Sequence, residues 1–172
     1  ASRELVAERE LAPEAQRLDL WCVPDPDKIW SLAPLGLIER IAREGPCAFE
    51  FFHGTPTVAE FLGSLRKLLF LRRSARLPSA PGDASLWIIA GGRPNQLMSS
   101  AAFTAEPTWP AGVYTMPNVF RTWLVVTSEL PRTPETRLLR VLGAGKTLSA
   151  ATHELARSRP DDPVGAILMP LL

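Results

Sequence analysis

The sequence predicts an α/β domain built on a mixed sheet flanked by helices, with a helical C-terminal part. Three observations carry this. Short apolar or aromatic runs recur between Pro- and Gly-containing turns at 17–23, 47–52, 86–90, 113–114 and 122–127, the pattern of strands. Segments with 3.6-residue apolar spacing stand between them at 35–43 and 57–73. The resulting alternation of strand and helix is the signature of an α/β layer.

Each element has its own local reason. Residues 5–11 fit a strand or a helix, and a hairpin with the segment around Asp19 is the preferred reading. Asp25-Pro26-Asp27 marks a turn. Leu37, Ile38 and Ile41 give 35–43 a helical face, closed by Gly45-Pro46. Val58, Phe61, Leu62, Leu65, Leu68 and Leu69 give 57–73 a broad apolar face. Residues 74–84, rich in Pro, Gly and Ser, form a loop. Leu86 to Ala90 is a buried strand ended by Gly91-Gly92, and 94–103 a short helix. Residues 104–112, holding Pro107 and Pro110, read as a loop. Thr133-Pro134-Glu135 supplies a cap, a first-position Pro and an acid for a helix running to Leu142. Thr147 to Arg157 is a further helix.

Composition bounds the function. The chain has 172 residues, 46% of them apolar and 22% charged, which suits one core-bearing domain. Residues 1–130 form its α/β part and 131–172 a helical extension of the same domain. A net charge of +1 offers no bulk attraction for nucleic acid. Cys22 and Cys47 are the only cysteines and make no CxxC pair, so a reducing compartment, the cytoplasm, is expected. No apolar run approaches the roughly 18 residues of a membrane span. The abrupt ends, Ala1-Ser2-Arg3 and Met169-Pro170-Leu171-Leu172, suggest trimming at both termini. A homodimer is compatible with the sequence.

Two apolar strands each carry one acid: Asp19 in Leu18-Asp19-Leu20-Trp21 and Glu50 in Phe49-Glu50-Phe51-Phe52. A carboxylate in an apolar strand is costly unless it is paired, hydrogen-bonded or bound to a cation. Together the two acids could hold Mg²⁺ for phosphodiester cleavage, or could instead lie at strand ends and face solvent. In restriction-type nucleases a lysine close to the second acid completes such a site. Phe52 stands two residues after Glu50, and Lys67 on the following helix is the substitute candidate. Glu60, Ser64 and Lys67 share a helix face by spacing. Thr57-Val58-Ala59-Glu60 also fits a capping box, which would turn Glu60 back to the helix start.

Arg66, Lys67, Arg72, Arg73 and Arg76 form the most basic stretch, with no acid between Glu60 and Asp83. It could hold DNA phosphates, or simply complement a helix C-terminus. Gly143-Ala144-Gly145-Lys146-Thr147 looks like the end of a phosphate-binding loop. Arg140 stands where the motif needs Gly, and a helix precedes it where a strand is required. The segment therefore reads as a helix C-cap followed by a Thr cap. His53 could line a pocket beside Glu50 as a proton carrier, or be a loop histidine without a role. Trp21, Phe52 and Trp87 could line a small-molecule pocket, or be core.

Four segments in order carry a family resemblance: Arg17 to Trp21; Leu35 to Ala42; Phe49 to Phe52 with Thr55-Pro56-Thr57; and Leu130 to Thr136 with Leu142-Gly143. Together they resemble uncharacterised bacterial proteins related to the recombination-promoting nuclease and putative transposase group, which has the restriction-endonuclease-like PD-(D/E)XK fold. The resemblance implies a metal-dependent DNA endonuclease ancestry, with Asp19 and Glu50 as the acids that hold Mg²⁺. It departs from the pattern at Phe52, where that group has Lys or Gln, and by a helix inserted between the acid strands. The implied domain is thus catalytically degenerate, acting on or near DNA, with a non-catalytic interaction or scaffold module as the alternative.

Overall fold

The computed structural model describes residues 17–25, 27–28, 33, 35–73 and 84–157. The expectations for 5–11, Arg76, most of the 74–84 loop and the chain ends lie outside the described residues. The elements in order are β1 (Leu20–Cys22), α1 (Leu37–Arg43), β2 (Cys47–Phe52), α2 (Val58–Arg73), β3 (Ser85–Ala90), α3 (Asn95–Ser100), β4 (Thr104–Ala105), β5 (Val113–Thr115), β6 (Thr122–Val126), α4 (Arg137–Val141) and α5 (Gly145–Ala156).

The strands form one six-stranded mixed sheet in the order β1-β2-β3-β6-β5-β4. β2, β3 and β6 run parallel, in the register Glu50, Ile88, Leu124. β1 pairs antiparallel with β2 at one edge, while β5 and β4 pair antiparallel beyond β6. The parallel centre explains the uninterrupted apolar runs: helices cover both of its faces, so both alternating side-chain sets must be apolar. Every residue of β3 is buried.

Alternation along the strands divides the core in two. Ala48, Leu86, Ile88, Ala90, Leu124 and Val126 face Phe61 and Leu68 of α2 and Leu97 of α3. Cys47, Phe49, Trp87, Ile89 and Val125 face Leu37 and Ile41 of α1 and Leu139 of α4. A third cluster joins Leu138 and Val141 of α4 to Ala151 and Leu155 of α5. The C-terminal helices are thus built onto the α1 side of the sheet. Arg72 ties the end of α2 to the strand starts, donating to the carbonyls of Ala84 at 3.0 and 2.8 Å and of Phe120 at 3.0 Å.

Several expectations need correction. Residues 104–112 are not all loop, because Thr104 and Ala105 pair with β5 at the far edge. The helix expected from Thr133 begins only at Arg137. The Thr136 hydroxyl donates to the carbonyl of Pro131 and stands 3.2 Å from the Thr133 hydroxyl, holding 131–136 as a turn. Thr147 is not a cap, since α5 starts at Gly145 and Thr147 lies inside its first turn. Leu62 and Leu69 do not join the buried face of α2; they are 55% and 51% exposed. Each follows a buried residue, Phe61 or Leu68, by one position and so stands about 100° around the helix from the sheet.

Candidate functional site

The β1–β2 pair places one sequence-predicted acid, Glu50, within a strand, and leaves the other, Asp19, outside the strand expected to carry it. Asp19 immediately precedes β1, and Leu20 pairs with Phe49, so Asp19 lies beside the Glu50–Phe51 stretch of β2. Its carboxylate is engaged there: the backbone N–H of Phe51 donates to Asp19 Oδ2 at 2.9 Å. Asp19 stands at a bend and is exposed. It thereby satisfies a backbone donor of β2 just where β1 stops supplying carbonyls.

Glu50 is central in β2 and 4% exposed, an acid among apolar neighbours on the α2 side. Such a group needs a counter-charge, and α2 provides one. Lys67 Nζ donates to Glu50 Oε1 at 2.9 Å and to Oε2 at 2.7 Å. The Ser64 hydroxyl lies 3.4 Å from Glu50 Oε2 and 3.2 Å from the carbonyl oxygen of Glu60, which compete for its one proton. Residues 64 and 67 are three apart on a helix and therefore project together toward the strand beneath.

Glu60, the remaining member of that spaced set, points elsewhere. The Thr57 N–H donates to Glu60 Oε2 at 2.7 Å, and the Glu60 N–H donates to Thr57 Oγ1 at 3.2 Å. This is a reciprocal capping box. The bonds from the Thr57 N–H and hydroxyl hold the Glu60 carboxyl below the ordinary carboxylate range.

The residues present do not fit a bound Mg²⁺ as they are arranged. Both Glu50 oxygens face the Lys67 ammonium, a cation already occupying the coordination side of the carboxylate, and one Asp19 oxygen accepts a backbone bond. Among the described residues no cluster of three or more His, Cys, Asp or Glu could hold a metal ion. Phe52, at the position where a cation would be expected, packs against the α2-side core.

The basic stretch divides. Arg66 and Arg73 are exposed. Lys67 is committed to Glu50 and Arg72 to carbonyl groups. Arg76 lies outside the described residues. His53 is exposed in the turn after β2. The aromatic pocket does not form: Trp87 faces the α1 side, stacked on Trp123 at 4.8 Å, while Trp21 and Phe52 face the α2 side. Period-two alternation across paired strands separates them.

Two polar clusters had no signal in the sequence. Arg93, after β3, donates to Glu129 Oε1 at 2.9 Å and to the Tyr114 hydroxyl, which itself donates to Glu129. Burial, followed by the Glu129 carboxylate, raises the Tyr114 phenol above its usual value. Arg140, 2% exposed, pairs with Glu154 at 2.6 and 3.0 Å, which lowers the Glu154 carboxyl. Each cluster joins residues from separate elements, at spacings no local pattern marks. Comparison with protein-family models, with curated proteins and with solved structures finds no match.

Proposed function

We propose that the chain is a PD-(D/E)XK nuclease-like domain that has lost efficient catalysis and acts on or near DNA. The observation that carries this reading is the Glu50–Lys67 pair, closed at 2.7 Å, with Asp19 at the bend that leads into the neighbouring strand. Such a nuclease requires two acids from adjoining segments of the sheet and a lysine beside the second; here Glu50 lies in β2 and Asp19 just ahead of β1. Here the lysine comes from the following helix instead of from the strand. The same contact argues for degeneracy. A lysine that neutralises Glu50 in the resting state must leave before a divalent cation can use that carboxylate, and its ammonium would then have to stabilise a developing phosphate charge elsewhere. Exposed Arg66 and Arg73 on α2 are candidate phosphate contacts, and Arg76 follows three positions later in the sequence.

A second reading has its own observation. Leu62, Leu69 and Phe70 are 55%, 51% and 53% exposed on the outer side of α2. An apolar strip on a surface helix favours protein contact, as a non-catalytic interaction or scaffold module would need.

A plasmid-nicking assay with Mg²⁺ or Mn²⁺, run beside duplex-DNA binding at several salt concentrations, separates the readings. We expect at most trace cleavage by wild type, and salt-sensitive binding weakened by R73E. Robust cleavage lost in both D19N and E50Q would overturn the degeneracy. No cleavage together with no salt-sensitive binding would leave the interaction module.

A further inference from the structure

The two cysteines, 25 positions apart in sequence, are direct partners across the β1–β2 ladder: Cys22 pairs with Cys47, as Trp21 does with Ala48. Residues opposed in an antiparallel pair put their side chains on the same face, with Cβ atoms about 4.5–5.5 Å apart. Both pack into the cluster on the α1 side of the sheet, and both are free thiols. The separation is close to the ~3.5–4.5 Å that a disulfide requires between Cβ atoms, and β1 is a three-residue edge strand that can adjust. We propose that Cys22 and Cys47 form an oxidisable dithiol, which hydrogen peroxide closes into a cross-strand disulfide that staples edge strand β1 onto β2.

The two thiols are unequal. Cys22 is partly exposed and Cys47 fully buried. The neighbouring Cys47 thiol lowers the Cys22 thiol to about 7 against the opposing effect of burial. The adjacent Cys22 sulfur, together with burial, pushes the Cys47 thiol up. Cys22, the thiol that solvent reaches, is the attacking group, and the fully buried Cys47 the resolving one. The Cys22 thiolate attacks one oxygen of the peroxide and breaks the O–O bond. The products are a Cys22 sulfenic acid and hydroxide, which takes up a proton to become water. The Cys47 sulfur then attacks the sulfenic sulfur, its proton leaves with the displaced hydroxyl as a second water, and the S–S bond forms. Two thiols are oxidised and one peroxide is reduced to two waters. The inference is independent of the nuclease reading, because the thiols lie on the sheet face opposite Glu50 and its helix partner.

The test uses the reduced full chain, treated with equimolar hydrogen peroxide, quenched with N-ethylmaleimide and measured by intact mass and tryptic mapping. The expected result is loss of two hydrogens, no maleimide adduct, and peptide 18–28 linked to peptide 44–66, all reversed by dithiothreitol. In C47S, dimedone should trap a sulfenic acid on Cys22; in C22S, Cys47 should stay unreacted. Alkylation of Cys22 by iodoacetamide should rise with a midpoint near pH 7, below the ~8.5 of a free cysteine. Chains linked to one another, a sulfinic acid on Cys22 without the linked peptides, or two maleimide adducts after peroxide would each overturn the proposal.

Discussion

Glu50 and Lys67 form the most consequential side-chain contact in the described chain, because a buried acid is tolerable only while its counter-charge stays in place. Glu50 keeps 5% side-chain exposure and Lys67 23%, so the pair is shielded on the acid's side and open on the lysine's. Removing one partner of a buried pair costs more than the pair contributes, since the remaining charge stays desolvated. K67M should therefore destabilise the fold by about 3 kcal/mol, the lower end of the range for buried pairs, because water reaches the vacated site. E50Q combined with K67M should cost clearly less than the two single changes added together. Denaturant unfolding of the four proteins checks this; an additive result would mean that the contact carries no coupling.

The elements hold together through their ends as much as through their faces. At the start of α2, Thr57 and Glu60 satisfy each other's backbone donors, and Phe61 N–H bonds to the carbonyl of Thr57 at 3.0 Å. T57A should cost about 1 kcal/mol, the usual scale for a lost N-cap, read as a lowered melting midpoint. The Glu60 carboxyl is depressed in the folded state. Its stabilising effect is thus fully present above the unfolded carboxyl value of about 4.3 and disappears as pH falls through the folded value. The difference between wild type and T57A should accordingly shrink in acid. A gap that stays constant down to the lowest pH at which the fold survives would mean that the Thr57 hydroxyl has no part in holding the Glu60 carboxyl down, leaving that to the backbone N–H that T57A retains. α5 offers a contrast. It begins without a side-chain cap and is anchored through Arg140 and Glu154 instead.

At the scale of the whole molecule, the helices and central strands were legible because each is local. β2, β3 and β6 are apolar runs between turn residues, and the Phe61–Leu68 stripe of α2 follows the helical period. The acids were legible for a similar reason, as charges interrupting apolar runs. What each acid touches was not legible, because Phe51 reaches Asp19 through strand pairing and Lys67 reaches Glu50 through a crossover. The cross-strand meeting of Cys22 and Cys47 has the same origin in register. The C-terminal helices dock through another non-local contact, at Gly36. Its backbone sits at φ +58, in the left-handed region, and the Leu37 N–H donates to the carbonyl of Glu135 at 3.0 Å. A Cβ at Gly36 would run into that Glu135 backbone, which cannot swing aside as a side chain could. G36A should thus combine backbone strain with overpacking and cost about 3 kcal/mol. Because Leu37, Ile41 and Leu139 share one cluster with β2 and β3, the loss should appear as a lower midpoint of one cooperative transition. If the variant instead released 131–157 while the sheet still melted at the wild-type midpoint, the C-terminal helices would be an appendage and not part of the core.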